Sequence, residues 1–245
     1  MTHKTRGIIL RTIRYGDTSV IATAYTELFG IQTYIVKGIR QQTKKASSKA
    51  IYFQPAAILE MVVYRNEFKN LNFIKEYQWG YLYENVLFDV VKNTVAMYIV
   101  EMMQHCLKQP EANPDMFYLV QDTLVQLDKG NQAFTGMLPL YFTLHLGGEL
   151  GFRIQGEYSA QTPVADLMEG QFISEKPEHP YYLDGKAAMI TSQLLNLNFY
   201  NDLEQFQITR QIKRELMVAY QNYIALHVQD FGVIKSLPIL QEILG

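Results

Sequence analysis

The feature that most restricts the fold is a change of sequence period near Trp79. Between Thr5 and Tyr77, β-branched and aromatic residues form runs of strand length that are separated by turn residues. Beyond Trp79, apolar residues recur at three- and four-residue spacings, as they do on one face of a helix. The sequence therefore predicts an α+β fold, in which a small β domain (residues 1–79) precedes an α-helical domain (residues 80–245).

The β-rich part predicts five strands. They cover residues 6–15, 19–26, 31–36, 56–64 and 71–77. The connection between the third and the fourth run is long, whereas the other connections are short turns. Five strands with one long connection at this position are typical of a five-stranded oligonucleotide-binding (OB) barrel. Small SH3-like barrels and split sheets fit the same pattern and remain alternatives.

The second part predicts several helices and one irregular lobe. An apolar period over residues 81–107 indicates one long buried helix. A second helix should start at Asn113 and Pro114 and stop at Gly130. Further helices are predicted over residues 131–150, 184–197, 209–230 and 237–244, and Pro139 should bend or restart the first of them. Residues 151–183 contain three prolines and many polar residues, which indicates an irregular lobe with room for a hairpin.

Charge is distributed unevenly along the chain. The whole chain carries 22 Lys and Arg against 24 Asp and Glu, but the first 80 residues carry 12 against 5. The net charge is therefore +7 over the first 80 residues and −9 over the rest. Such asymmetry indicates either that the N-terminal part faces a polyanion or that charge keeps a small domain in solution. The positions of the basic residues favour the polyanion.

The basic residues concentrate on the first strand and in the long connection, where no acidic residue interrupts them. Interleaved Gln, Ser and Thr residues can hydrogen-bond phosphate oxygens, and such contacts fix position without reading sequence. Aromatic residues nearby offer faces for base stacking, although most of them also suit a core. The predicted DNA ligands are Arg6, Arg11, Arg14, Lys37, Arg40, Lys44, Lys45 and Lys49, and the candidate stacking residues are Tyr15, Tyr34, Tyr52, Phe53 and Phe68.

Signals of catalysis are weak. His105 and Cys106 are sequence neighbours on a predicted helix, so their side chains point about 100° apart and do not face each other. The glycine-rich segment 147–151 follows a helix and lacks the preceding strand and the lysine of a phosphate-binding loop. The loop carboxylates Asp166 and Glu169 have no evident partner for acid–base chemistry. We therefore predict that the chain is not an enzyme.

The expected compartment is the cytoplasm. The first residues contain neither an apolar signal core nor a cleavage site, and no stretch approaches the ~18 apolar residues of a membrane helix. One cysteine cannot form an internal disulfide or a multi-cysteine metal site. We expect neither a metal nor another cofactor, and no membrane partner.

Three turn motifs follow one another in the β-rich part. They are Tyr15-Gly16-Asp17-Thr18, Thr26-Glu27-Leu28-Phe29-Gly30 and Lys37-Gly38-Ile39-Arg40. Gln54-Pro55 and residues 60–65 continue the pattern, and Phe231-Gly232, Lys235-Ser236 and Leu240 follow near the end of the chain. In these motifs and in their order the sequence resembles the RecO family of bacterial recombination and repair mediators. The middle of the chain resembles that family mainly in its helical character.

The resemblance implies an OB barrel followed by a helical bundle, binding to single- and double-stranded DNA, and annealing of complementary strands. It also implies RecR and single-stranded-DNA-binding protein as partners, help in loading RecA, and association with the nucleoid. The acidic C-terminal tail of the single-stranded-DNA-binding protein would dock on the helical domain. Many relatives carry a four-cysteine zinc element at the place of residues 151–183, and those cysteines are absent here.

A cationic cluster at the start of the predicted helix 209–230 is our candidate for the tail site. Arg210, Lys213 and Arg214 lie where backbone amides add positive potential. Two other functional classes remain as alternatives to DNA binding. One is a non-catalytic adaptor whose OB barrel binds protein, and the other is a nuclease or another hydrolase, for which clustered carboxylates or metal ligands are lacking.

Overall fold

The computed structural model describes residues 1–39, 49–66, 71–197 and 199–244, and the chain forms two compact units. The barrel unit comprises Met1–Glu84 and Val100–Val125. The helical unit comprises Asn85–Ile99 and Gln126–Gly245. The division into two domains near residue 79 stays a prediction.

The barrel unit contains five strands that close into a barrel in the order β1-β2-β3-β5-β4. The strands are β1 (Thr2–Tyr15), β2 (Ser19–Thr26), β3 (Gly30–Val36), β4 (Ile58–Tyr64) and β5 (Asn72–Tyr81). Neighbouring strands are antiparallel except β3 and β5, which are parallel and pair at two positions only. The closed barrel confirms the predicted five-stranded OB-type fold.

The barrel core is built from alternate residues of each strand, because successive side chains of a strand point to opposite faces. The buried cluster consists of Ile9, Val20, Ala22, Ala24, Tyr34, Val36, Ile39, Phe53, Ala57, Leu59, Met61 and Val63. A short 3₁₀ turn, Ile51–Phe53, contributes Phe53 to this core. The Thr12 hydroxyl donates a hydrogen bond of 2.7 Å to the Phe53 carbonyl and so joins this turn to β1.

Gly30 shows why the turn between β2 and β3 requires glycine. Its φ of +61° lies in the left-handed region. A Cβ at this position would lie 2.1 Å from the Glu111 carbonyl oxygen, which belongs to the same unit. Any other residue would therefore meet both backbone strain and a backbone clash.

Within the described residues, six α-helices follow the barrel. They are α1 (Val90–Cys106), α2 (Pro114–Lys129), α3 (Gln132–Glu149), α4 (Gly185–Leu195), α5 (Arg210–His227) and α6 (Ser236–Leu244). The predicted cap of α2 is present, because the Met116 N–H donates to the Asn113 side chain over 3.0 Å. In the described ranges, no helix combines the length and apolar character that crossing a membrane requires.

The helix predicted over residues 81–107 is too long at its start. Strand β5 continues to Tyr81, and α1 begins only at Val90. Asp89 is the N-cap of α1, since its carboxylate accepts the Lys92 N–H over 3.0 Å. The apolar residues before Asp89 repeat with a helical period but do not form a helix.

A buried carboxylate explains the conformation of the segment before α1. The side chain of Asp128 is almost inaccessible and accepts the backbone N–H groups of Asn85 and Val86, both over 2.8 Å. These bonds replace the i to i−4 bonds that a helix would offer to the two amides. A long-range contact therefore overrides the local period.

Pro139 lies inside α3, which continues through it. The predicted restart of the helix at this proline does not occur. Nearly every residue from Phe134 to Gly147 is buried, so packing on most sides of the helix outweighs the one backbone hydrogen bond that a proline removes.

The predicted irregular lobe contains a small sheet. Its strands are β6 (Val164–Asp166), β7 (Gln171–Ile173) and β8 (Tyr182–Leu183), in the order β7-β6-β8. Strands β6 and β7 form an antiparallel hairpin, as the sequence suggested for this lobe. The third strand was not predicted, because two residues carry too little period to show it.

Candidate nucleic-acid interface

A partly exposed apolar row crosses the outer surface of the barrel, with one residue on each of the five strands. Residues paired across neighbouring strands point to the same side of a sheet, so the register gives the composition of this surface. The row consists of Ile13, Ile21, Ile35, Phe73 and Tyr64, each paired with the next. Ile13, Phe73 and Tyr64 remain 39–46% exposed. We call this set the outer apolar row.

Predicted DNA ligands flank the outer apolar row. Arg11 pairs with Thr23 and is exposed on one side of it. On the other side lie Tyr15, which is 49% exposed, and Lys37, which follows β3. The Lys37 ammonium lies 5.5 Å from the centroid of the Phe73 ring. Cations therefore flank the apolar row on the outer surface of the barrel at β1 and at the end of β3.

Arg6 and Arg14 do not join Arg11 on this face. Arg14 pairs with the core residue Val20, so it faces the opposite side of β1, at the end of the barrel. Arg6 pairs with Glu60 and lies about 16 Å along β1 from Arg11, at ~3.3 Å per residue. Both arginines are exposed, but they belong to other parts of the surface.

The long connection contributes one described lysine to the interface. Lys49 lines a cleft of about 550 Å³ together with Lys37 and Lys75. Arg40, Lys44 and Lys45 lie outside the described residues, so their predicted roles stay predictions.

The candidate stacking residues divide by burial. Tyr34 and Phe53 belong to the core and offer no free face, whereas Tyr15 and Tyr52 are partly exposed. Phe68 lies outside the described residues. Tyr52 stacks on Trp79 at a centroid distance of 4.5 Å.

Sequence reasoning missed Tyr64, Phe73 and Lys75. For Tyr64 a signal existed, since it is out of phase with the apolar residues Leu59, Met61 and Val63 of the same strand. The position of Phe73 beside Ile35 depends on the β3–β5 pairing, which no local pattern encodes.

In the described residues, the groups that could support catalysis are largely buried, and one imidazole–carboxylate contact joins His179 Nε2 to Asp166 Oδ2 over 3.3 Å. Burial raises the pKa of the Cys106 thiol to about 12, so it is not a reactive thiolate at neutral pH. Burial lowers the pKa of His145, whose Nε2 lies 3.2 Å from the Leu194 carbonyl oxygen. Asp166 is buried and accepts the backbone N–H groups of Met168 and Glu169. Within the described parts of the chain, no three His, Cys, Asp or Glu side chains form a group that could hold a metal ion.

The helical unit contains a separate cationic cluster at the start of α5. Arg210, Lys213 and Arg214 take part in no salt bridge within the described ranges. Lys213 lies beside Gly136 of α3, because a Cβ at Gly136 would lie only 2.9 Å from the Lys213 Nζ. Burial, and then the nearby charge of Arg210, lower the pKa of Lys213. Lys213 is thus a partly desolvated cation, and the exposed Arg210 and Arg214 flank it without a salt bridge in this part of the structure.

A five-stranded OB-type barrel followed by a helical region places the chain among proteins with an OB-type domain, a class whose members bind oligonucleotides or oligosaccharides. Two family models match the chain: the N-terminal domain of recombination protein O matches residues 1–83, and the C-terminal domain of recombination protein O matches residues 87–237. The chain therefore belongs to the recombination protein O family.

Curated relatives agree with this assignment. The chain is 28% identical over 243 residues to the DNA repair protein RecO of Phocaeicola vulgatus, with 99% of each chain covered. It is 28% identical over 244 residues to the DNA repair protein RecO of Bacteroides fragilis, again with 99% of each chain covered. The DNA repair protein RecO of Flavobacterium johnsoniae is 27% identical over 245 residues, and 99% of each chain is covered.

Proposed function

We propose that the chain binds DNA without reading its sequence, through the outer surface of the barrel around the outer apolar row. The observation that carries this proposal is the outer apolar row with Arg11 on one side and Lys37 on the other. Lysine and arginine side chains neutralise phosphates and release counterions, while exposed rings accept unpaired bases whatever their identity. OB folds bind oligonucleotides with this same face.

The other predicted ligands extend the proposed contact. Lys49 lies beside the same face, and Arg40, Lys44 and Lys45 precede it in the sequence. Arg6 and Arg14 are exposed elsewhere on β1 and would contact phosphates outside this face. Because phosphate contacts carry no sequence information, all eight residues would strengthen binding to any strand.

We propose that binding serves annealing and mediation rather than catalysis. Neutralised phosphates allow two strands to approach and pair, which requires no reacting side chain. The family's description as recombination protein O supports a role in recombination, and we propose that this role is to act with RecR and to assist RecA loading at the nucleoid. The relatives are named as DNA repair proteins and not as enzymes, which supports a non-catalytic role.

We further propose that Arg210, Lys213 and Arg214 hold the acidic C-terminal tail of single-stranded-DNA-binding protein. A partly buried lysine with a lowered pKa gains more from a carboxylate than an exposed lysine does, because less water screens the pair. Gly136 of α3 has no side chain, and the Lys213 side chain occupies the space beside it.

A titration with labelled single- and double-stranded DNA tests the main proposal. We expect binding that weakens steeply as salt is added, with little dependence on sequence. A protein-binding adaptor would show no such DNA binding, and a hydrolase would cleave the DNA when divalent metal is added. Either result would replace the present proposal.

A further inference from the structure

A cleft opens where β3 and β5 separate. The two strands pair only at Tyr34 with Asn72 and at Ile35 with Phe73. The cleft beyond these pairs has a volume of about 550 Å³, within the ~300–1,000 Å³ range of small-molecule pockets. Its charged and aromatic lining consists of Lys37, Lys49, Lys75, Tyr64, Phe73 and Tyr77.

Like charge disfavours a longer pairing of the two strands. If the parallel pairing continued, Lys37 would lie opposite Lys75, two residues beyond the Ile35–Phe73 pair. Like charges directly opposite each other destabilise a sheet. The pairing ends before the point where two ammonium groups would face each other, and these charges beside the cleft favour an anionic ligand.

A bulge in β5 adds to this arrangement. Val63 pairs with Ile74 and Val62 pairs with Glu76, so Lys75 has no partner residue in the β4–β5 register. Bulges change the direction of a side chain and occur next to functional sites. The carboxylate of Glu76 lies 3.2 Å from the Lys75 Nζ, but both side chains are about half exposed or more, and such pairs are weak.

The aromatic lining favours a base in addition to the anion. Phe73 and Tyr64 are paired across β4 and β5, and both keep exposed area. Lys37 lies over the Phe73 ring. A phosphate would draw this ammonium away, and the ring face would then be free for a base.

We propose that this cleft holds one unpaired nucleotide of a bound single strand. Its base packs against Phe73 and Tyr64, and its phosphate lies among Lys37, Lys49 and Lys75. This inference rests on the proposed DNA binding and adds a preference to it. In a duplex both faces of an internal base are already stacked, so only a single strand can fill the cleft.

The test compares four variants in anisotropy titrations with a labelled single strand and with the duplex of the same length. Phe73→Leu keeps apolar volume and removes the ring, and Lys75→Ala removes one cation. The matched controls are Phe88→Leu, at a ring that is 79% exposed in the helical unit, and Lys4→Ala, at an exposed lysine of β1 outside the cleft. We expect Phe73→Leu to weaken single-strand binding about fivefold or more and to leave duplex binding unchanged.

Lys75→Ala should lower the slope of log single-strand affinity against log salt by about 0.7. This second variant tests the proposal even if Phe73→Leu does not fold. Both controls should behave as wild type. The cleft proposal fails if Phe73→Leu or Lys75→Ala leaves single-strand binding intact, or if either weakens both DNA forms equally. It also fails if the cleft binds only the phosphate. In that case, Phe73→Leu would weaken the binding of a strand without bases as much as that of a strand with bases. If the wild type shows no salt-dependent DNA binding at all, the proposed function itself fails.

Discussion

The substitution Gly136→Ala should stabilise the protein and weaken its binding of an acidic tail. Gly136 is an interior residue of α3, and glycine costs about 0.8–1 kcal/mol relative to alanine at such a position. The nearest atom to an added Cβ is the Lys213 Nζ at 2.9 Å, the end of a flexible side chain, and the next is the Lys213 Cε at 4.0 Å. The free energy of unfolding should therefore rise by nearly the full helix-propensity difference, or about 2–4 °C in Tm.

The same methyl group must displace the Lys213 ammonium. If Lys213 contacts the carboxylates of an acidic peptide, this shift should weaken binding about fivefold, and Lys213→Ala should weaken it about tenfold without the gain in stability. Urea denaturation gives the first quantity, and anisotropy with a labelled acidic peptide that ends in Asp-Phe gives the second. Unchanged peptide affinity in both variants would refute the assignment of Lys213, and a loss of stability in Gly136→Ala would refute the packing argument.

Three further outcomes are expected. Because burial and Arg210 lower the pKa of Lys213, this lysine loses its proton at a lower pH than an ordinary lysine. Peptide affinity should therefore fall as pH rises through that pKa. An affinity that does not change at alkaline pH would contradict a charged contact. Gly30→Ala should lower the free energy of unfolding by about 2 kcal/mol or more in urea titrations, because backbone strain and the clash with Glu111 add. An unchanged stability would contradict both the strain and the clash. Asp128→Ala should lower the free energy of unfolding by about 3 kcal/mol in the same titration, because it leaves two backbone amides unpaired. A decrease below about 1 kcal/mol would show that water replaces the carboxylate.

The fold was predictable wherever local pattern and tertiary packing agree. The strand runs alternate in step with the barrel core, and Asn113 and Thr209 cap the helices that they precede in sequence. The start of α1 was wrong because the buried Asp128 binds the amides of Asn85 and Val86, and a contact across more than 40 residues leaves no periodic trace. Asp89 was the available signal, as an acidic residue directly before a helical run.

The candidate interface was predictable in charge but not in arrangement. The cationic character of the first strand and the long connection follows from composition alone. Arg11 and Arg14 are three residues apart on an uninterrupted stretch of β1, so strand alternation alone places them on opposite faces. Which of the two shares the outer face depends on the bulge between Ile9 and Arg11, because a shift of one residue reverses every side chain beyond it. The apposition of Phe73 and Lys37 depends on a parallel pairing between strands that are not consecutive.

In the proposed function, DNA phosphates contact the outer face of the barrel. The most direct test is the salt dependence of single-strand affinity for wild type, for the triple variant Lys44→Ala, Lys45→Ala, Lys49→Ala, and for the double variant Arg11→Ala, Lys37→Ala. Lys186→Ala, at an exposed lysine of the helical unit, is the control. Each lost phosphate contact should lower the slope of log affinity against log salt by about 0.7, so the double variant should lose about 1.4 and the control nothing. Affinity should fall for all sequences alike, and annealing should fall with it. An unaltered slope and affinity in the double variant would contradict the account and remove this face from the DNA site.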